Sequence, residues 1–394
     1  MYKNAAFASV ASALVAGVCL MMSGCGPKVA SSVVENNHEQ IMKAVRSYRL
    51  GKPARAEAGE KPAAAKLVVL HGGPNDYALY IARIRGYFEQ EDFDALEAEA
   101  SEARASKARL AGGTWKIRNF YEAVEAKGEN GQKPTDAAWA NTVKTLMEWA
   151  AAKPHSATAR IALANAHSAL GWRARGSGYA NSVSSGGWMV FRQEMGLAAN
   201  FLVDAAKSDV RCPYWYLTMQ QVALAQQWDR ADMRALFDEA AAFEPEFYYY
   251  YQEYANYLEP KWSGEEGETE AFADESWLHV GGDQGEIIYF EIASSRTCWC
   301  NLDDGRLERM SWPRITLGYE AIGRLYGSSN YKNNRFAFMA YQFHDQVAAG
   351  QALQAIENAK DPSVWGQGDL FEKVKAWANV GEPEQSTSAS RSGY

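Results

Sequence analysis

Three prolines are each followed, ten residues later, by an alanine: Pro154 by Ala164, Pro213 by Ala223 and Pro245 by Ala255. Each proline stands just ahead of a run whose apolar residues recur at helical spacing. Proline suits the first turn of a helix, where its missing N–H has no partner to lose, and disrupts a helix further in. A small residue at a fixed distance along the run marks a close helix crossing, because backbones approach only where side chains are short. Phe237 and Ala240 lie eight and five residues before Pro245, and Ala340 and Ala352 are twelve apart. The pattern predicts helical hairpins, each closed by a proline and stacked on the next. It confines the chain to an all-α class.

The spacing is irregular, since intervals of 59 and 32 residues separate the prolines where a uniform array would repeat every ~34. Gly176 to Gly187 reads as an insertion, and Pro260 to Gly267 as an interruption of another hairpin. Ahead of the prolines, Tyr80 to Ser106 reads as a helix pair broken at Glu91-Asp92, ending before Gly112-Gly113. A hydrophobic content of 47% with 22% charged residues places the chain among folded proteins. The balance of 40 basic against 48 acidic side chains, −8 overall, leaves no cationic surplus to bind a phosphate backbone. Nucleic acid is therefore not an expected partner.

The N-terminus reads as an export signal. Lys3 gives a positive start, Ala5 to Met22 form an apolar run broken only by serines, and Ser23-Gly24 precede Cys25. Met22-Ser23-Gly24-Cys25 resembles the bacterial lipobox, with Met where Leu is usual. That resemblance implies cleavage after residue 24, lipid on Cys25, and, with no Asp at position 26, forwarding to the outer membrane facing the periplasm. Diacylglycerol plus an amide-linked chain suffices for stable anchoring. Residues 25–66 then read as tether and linker with one amphipathic stretch at Ile41–Leu50, residues 67–380 as the helical repeat domain, and residues 381–394 as a disordered tail.

Cys212, Cys298 and Cys300 remain for an oxidising compartment. Cys298-Trp299-Cys300 is too closely spaced for an easy mutual bridge. The alternatives are a Cys212 bridge to one of them and buried free thiols, the latter being expected. Six scattered histidines offer no paired ligand spacing, so neither metal nor cofactor is expected.

The proline–alanine spacings resemble the tetratricopeptide repeat, which implies a solenoid of helical hairpins, here with irregular repeats. Gly113-Thr114-Trp115-Lys116 with Phe120-Tyr121, Gly171-Trp172-Arg173-Ala174-Arg175-Gly176 on to Tyr179, Leu258 to Gly264, and Asn334 to Asp345 together resemble a bacterial family known as domain of unknown function 4034. The resemblance spans roughly residues 80–380 and implies tetratricopeptide-like packing; it carries no catalytic residues to transfer.

Leu67-Val68-Val69-Leu70-His71-Gly72-Gly73-Pro74 resembles the oxyanion turn of α/β-hydrolases, but the chain has no Gly-x-Ser-x-Gly elbow to complete it. The expectation there is a short strand or turn, and the chain is not expected to be an enzyme. Glu89–Arg109 reads as a solvated helical face. Phe247 to Tyr251, with Tyr254 and Tyr257, rings a helix with aromatics; some must be core, which is the reading expected for the set, and the alternative is that the rest line a concave groove for peptide or sugar. Trp172, Arg173, Arg175, Tyr179 and Trp262 combine indole and guanidinium groups at a helix end beside a glycine-rich loop, and are the candidate binding residues. The function expected is a membrane-anchored envelope lipoprotein whose helical repeats bind or scaffold an envelope protein or peptide. The alternative is a carbohydrate or peptidoglycan reader.

Overall fold

A computed structural model of the chain describes residues 38–48, 76–128, 132–298, 307–356 and 359–379. The export signal, Cys25, the segment 67–74 and the tail from 381 lie outside the described residues. The chain divides into two units, residues 1–52 and 53–394. In the first, helix α1 covers 38–48, and Ile41, Ala44, Val45 and Tyr48 fall on one apolar stripe at helical spacing.

Among the described residues the second unit is helical throughout, with no strand beyond an isolated antiparallel bridge between Arg109 and Trp115. Its first pair is α2 (Asp76–Glu89) and α3 (Phe93–Ser106). They part where the sequence predicts, at Glu91 with φ 56°, after which the Asp92 carboxylate caps α3 by accepting from the Ala95 N–H. A 3₁₀ turn at Ala111–Gly113 leads into α4 (Lys116–Ala123), followed by α5 (Asp136–Ala152) and α6 (Ala157–Arg175). Thr135 and Ser156 hydroxyls cap α5 and α6. Then come α7 (Ser185–Ala205), α8 (Pro213–Ala225), α9 (Arg230–Phe243) and α10 (Tyr249–Tyr257). The remainder is α11 (Glu268–Val280), α12 (Gly282–Arg296), α13 (Trp312–Tyr326), α14 (Asn330–Gln342), α15 (Gln346–Ala355), α16 (Pro362–Trp365) and α17 (Leu370–Asn379).

The three prolines precede α6 and α10 and open α8. Ala164, Ala223 and Ala255 are fully buried, as a close crossing requires, and so is Ala340. Neighbouring helices lie along one another, most extensively α6 with α7, α12 with α13, and α14 with α15. Alternate helices also pack: α6 on α8, α8 on α10, α10 on α12, and α12 on α14. The segment 107–125 lies against this alternate row. Tyr121 stacks on Tyr214 with ring centroids 4.3 Å apart, Trp115 meets Phe247 edge-on at 5.0 Å, and the Gly112 N–H donates to the Gly327 carbonyl at 3.1 Å.

The aromatic run of α10 is core. Phe247, Tyr248, Tyr250, Tyr251, Tyr254 and Tyr257 are buried, while Tyr249 is half-buried. The Tyr250, Tyr251 and Tyr257 hydroxyls donate to the carbonyls of Pro213, Pro245 and Trp228, at 3.1, 2.9 and 2.9 Å. Tyrosine thus fills volume and closes backbone acceptors at the helix junctions, which phenylalanine could not do.

Two expectations need correction. Cys298 is in a disulfide rather than a thiol; Cys212 is a buried thiol, 3.7 Å from the Tyr121 hydroxyl, so the Cys298 partner lies outside the described residues. The stretch Glu89–Arg109 is not a uniformly solvated face. Arg109 is only 5% exposed, lies over the Trp115 ring and pairs with Glu246 at 3.3 Å, while Glu97 accepts from the Trp149 indole at 3.0 Å.

Candidate functional site

Helix α6 is alanine-rich and apolar over most of its surface, yet Asn165, Ser168 and Trp172 fall on one stripe, at i, i+3 and i+7. Tyr214 and Gln221 of α8 and Glu253 and Asn256 of α10 repeat this in the adjoining helices, with spacings of seven and three. Because α6, α8 and α10 pack in succession, the stripes meet along one wall. Arg118 from α4 and Glu125 just beyond its end face them, and Trp262 of the α10–α11 connection covers one side. The space between is a cavity of about 400 Å³, within the ~300–1,000 Å³ range of small-ligand pockets.

The cavity's polar groups are linked but not exhausted. The Tyr214 hydroxyl donates to Asn165 Oδ1 at 3.1 Å, and Asn165 Nδ2 donates to Glu125 Oε1 at 2.6 Å. Gln221 Nε2 donates to Glu253 Oε1 at 3.0 Å. Each carboxyl group keeps its second oxygen for another donor. Ser168 and Trp262 border the cavity through other atoms: Ser168 Oγ and Trp262 Nε1 are buried out of a water's reach and have no hydrogen-bond partner. Buried polar atoms are ordinarily paired, because an orphan costs roughly 1–3 kcal/mol.

Burial raises the carboxyl pKa of both Glu125 and Glu253. Asn165 and Arg118 oppose the rise at Glu125, and Gln221 and Arg118 oppose it at Glu253. Desolvation also works against the Arg118 charge, but Tyr214, Tyr249, Glu122 and Glu125 outweigh it and the guanidinium is held more firmly protonated. Arg118 pairs with Glu122, which in turn accepts from the Tyr77 hydroxyl at 2.5 Å. Glu122 engages the guanidinium through Nη1 alone, so the cavity offers further N–H donors of Arg118 beside the second oxygens of the two glutamates.

Three of the five residues singled out from sequence come together. Trp172 and Trp262 meet edge to face, centroids 5.7 Å apart, and both line the cavity. The Arg175 guanidinium lies 5.7, 5.4 and 5.7 Å from the rings of Trp172, Trp262 and Trp188, and is fixed by donating to the Gly176 and Gly178 carbonyls, both at 3.0 Å. It buttresses the indoles rather than lining the cavity. Arg173 turns away to an exposed pair with Asp136 at 2.5 Å. Tyr179 is 83% exposed in the loop ahead of α7 and is not a cavity residue.

Sequence reasoning missed Arg118, Glu125, Asn165, Ser168, Tyr214, Gln221, Glu253 and Asn256. One available signal was the pair Asn165 and Ser168, polar residues at helical spacing inside an otherwise apolar run. The glutamates carried no such signal, because acids beside arginines read equally well as a solvated surface.

No family model, curated protein or solved structure matches the chain. Among the described residues no helix is long and apolar enough to cross a membrane.

Proposed function

We propose that this chain is a lipid-anchored envelope protein whose helical domain binds a small polar ligand in the cavity between α4, α6, α8 and α10. The observation that carries the binding reading is the pair of carboxyl groups of Glu125 and Glu253, each engaged through one oxygen, in a cavity that Arg118, Trp172 and Trp262 also line. A ligand with matching donors pairs both carboxyl groups. Each carboxyl is held in place by an amide, which suits it to receive a ligand's donor.

The domain is read as a tetratricopeptide-like solenoid of irregular hairpins, of the kind suggested by the resemblance to domain of unknown function 4034. Support comes from the prolines ahead of α6, α8 and α10, the buried alanines ten residues on, and the contacts between alternate helices. Met22 to Cys25 supports anchoring through lipid on Cys25, at the outer membrane and facing the periplasm. A Cys25→Ser protein is expected to leave the membrane fraction and to lose label from palmitate.

Native mass spectrometry of the full chain, after incubation with a small-molecule extract of bacterial envelopes, tests the site. Ala169 lines the cavity from α6, so Ala169→Trp fills it without removing any hydrogen bond of the wall. The expected result is a bound small molecule on the natural chain and none on the filled variant. An unliganded natural chain, or an adduct that survives Ala169→Trp, overturns the assignment.

A further inference from the structure

Three ionisable side chains of both signs line the cavity without neutralising one another. Glu125 and Glu253 each accept one amide hydrogen bond through Oε1, and neither makes an ion pair among the described residues. Their second oxygens have no partner there and, unlike Ser168 Oγ and Trp262 Nε1, are not closed off from water. The same holds for Arg118: Nη1 donates to Glu122, while Nε and Nη2 make no hydrogen bond among the described residues and are not buried orphans.

A neutral ligand would displace water from these groups and return only neutral partners. Hydrogen bonds between opposite charges are roughly twice as strong as neutral ones, so the cavity favours a ligand that brings charge of both signs. An ammonium group donates to a carboxylate, and a carboxylate accepts from two N–H groups of one guanidinium. Burial raises the pKa of both glutamates, and an ammonium brought into contact favours their ionised form again. The balance is two carboxyl groups to one guanidinium, itself shared with Glu122, so a second amino group on the ligand also finds a partner. Trp172 and Trp262 leave apolar wall for the carbon chain between the charges.

Resting on the binding role argued above, we infer that the ligand is a free amino acid, best a basic one with two amino groups. Its amino groups donate to the open oxygens of Glu125 and Glu253, and its carboxylate accepts from the open N–H groups of Arg118. A cavity of about 400 Å³ has room for the whole molecule.

Isothermal titration of the full chain in detergent tests the inference. The probes are L-lysine, L-ornithine, glycine and glycylglycine, with three comparison arms. Cadaverine is lysine without its carboxylate, hexanoate is lysine without its amino groups, and glucose is neutral. L-Lysine or L-ornithine is expected to bind at least tenfold more tightly than any of the three. Arg118→Gln should bring lysine down to the affinity of cadaverine, whereas Glu253→Gln should weaken lysine and cadaverine alike, and Ala169→Trp should abolish both. Thermal melts of the variants guard against loss of fold, and the comparison of lysine with cadaverine needs no variant. Free amino acid and short peptide share this chemistry; glycylglycine binding more tightly than glycine overturns the assignment in favour of a peptide. Cadaverine matching lysine removes Arg118 from the site and overturns it in favour of a simple amine. Binding of hexanoate or glucose while every amino acid fails, or an adduct in the mass spectrum that no amino acid displaces, overturns it although the cavity is a binding site. Absence of any adduct removes the binding role itself.

Discussion

At the residue scale, the cavity's glutamates are held at a cost to stability. A carboxyl group whose pKa is raised on folding binds more protons in the native than in the unfolded chain between the two pKa values. Stability then falls as pH rises through that window, and the penalty is fully present above the folded pKa and absent below the unfolded value of ~4.3. Burial raises both Glu125 and Glu253, so both weaken the fold at neutral pH. Glu253→Gln keeps an oxygen to accept from Gln221 and removes the buried charge. It is expected to raise the melting temperature at pH 7.5, and the gain should shrink as pH falls towards 4.5. Paired thermal melts at those two pH values check the sign; a variant less stable than the natural chain at pH 7.5 refutes it. This trade is common where function needs groups that folding alone would not keep. It also explains why the site was only partly legible in the sequence. Trp172, Arg175 and Trp262 stood out by residue type. Glu125, Glu253 and Gln221 did not, because only the packing of α4, α8 and α10 makes those side chains scarce in solvent.

At the element scale, two glycines of α13 have opposite roles. A Cβ at Gly318 would lie 2.6 Å from Phe290 Cβ and closer still to the Glu286 carbonyl of α12, whereas one at Gly323 meets nothing within 4 Å. The Gly318 contact is with backbone, which cannot rotate away. Gly318→Ala is expected to destabilise by about 1–3 kcal/mol through overpacking, and Gly323→Ala to stabilise by about 0.5–1 kcal/mol by better helix propensity. Urea denaturation of the two variants is the check, and equal effects would mean that α12 and α13 do not cross at Gly318. These elements show how far sequence carries the fold. Pro213 at the start of α8, the caps at Asp92, Thr135 and Ser156, and the fully buried Ala164, Ala223 and Ala255 all follow from local chemistry. The packing of residues 107–125 on the alternate row does not follow. Gly112-Gly113 reads locally as a helix stop, and its partners lie some 200 residues away in sequence.

At the scale of the second unit, that segment changes how unfolding should proceed. An array in which each hairpin touches only its neighbours loses its ends first, and its stability is a sum of local terms. Here Lys107 pairs with Glu244 at 2.7 Å and Arg109 with Glu246 at 3.3 Å; the Gly112 N–H binds the Gly327 carbonyl, and Gly113 lies against the Tyr326 ring. Residues near 110 are thus tied both to the entry of α10 and to the turn between α13 and α14. Late helices cannot leave without breaking contacts made by early ones, so fluorescence and circular dichroism should report one coincident urea transition. Gly112 is the sensitive point. It has φ 77°, and a Cβ there would lie 2.7 Å from Ser329 Cβ and 3.1 Å from Lys332 Cγ. Gly112→Ala therefore combines left-handed backbone strain of roughly 1–2 kcal/mol with a clash against α14 at its start. The variant is expected to unfold at lower urea, with the two probes no longer coincident as α13–α15 separate from the rest. If Gly112→Ala lowers the midpoint but leaves a single transition with an unchanged slope, the segment stabilises the unit without coupling its parts.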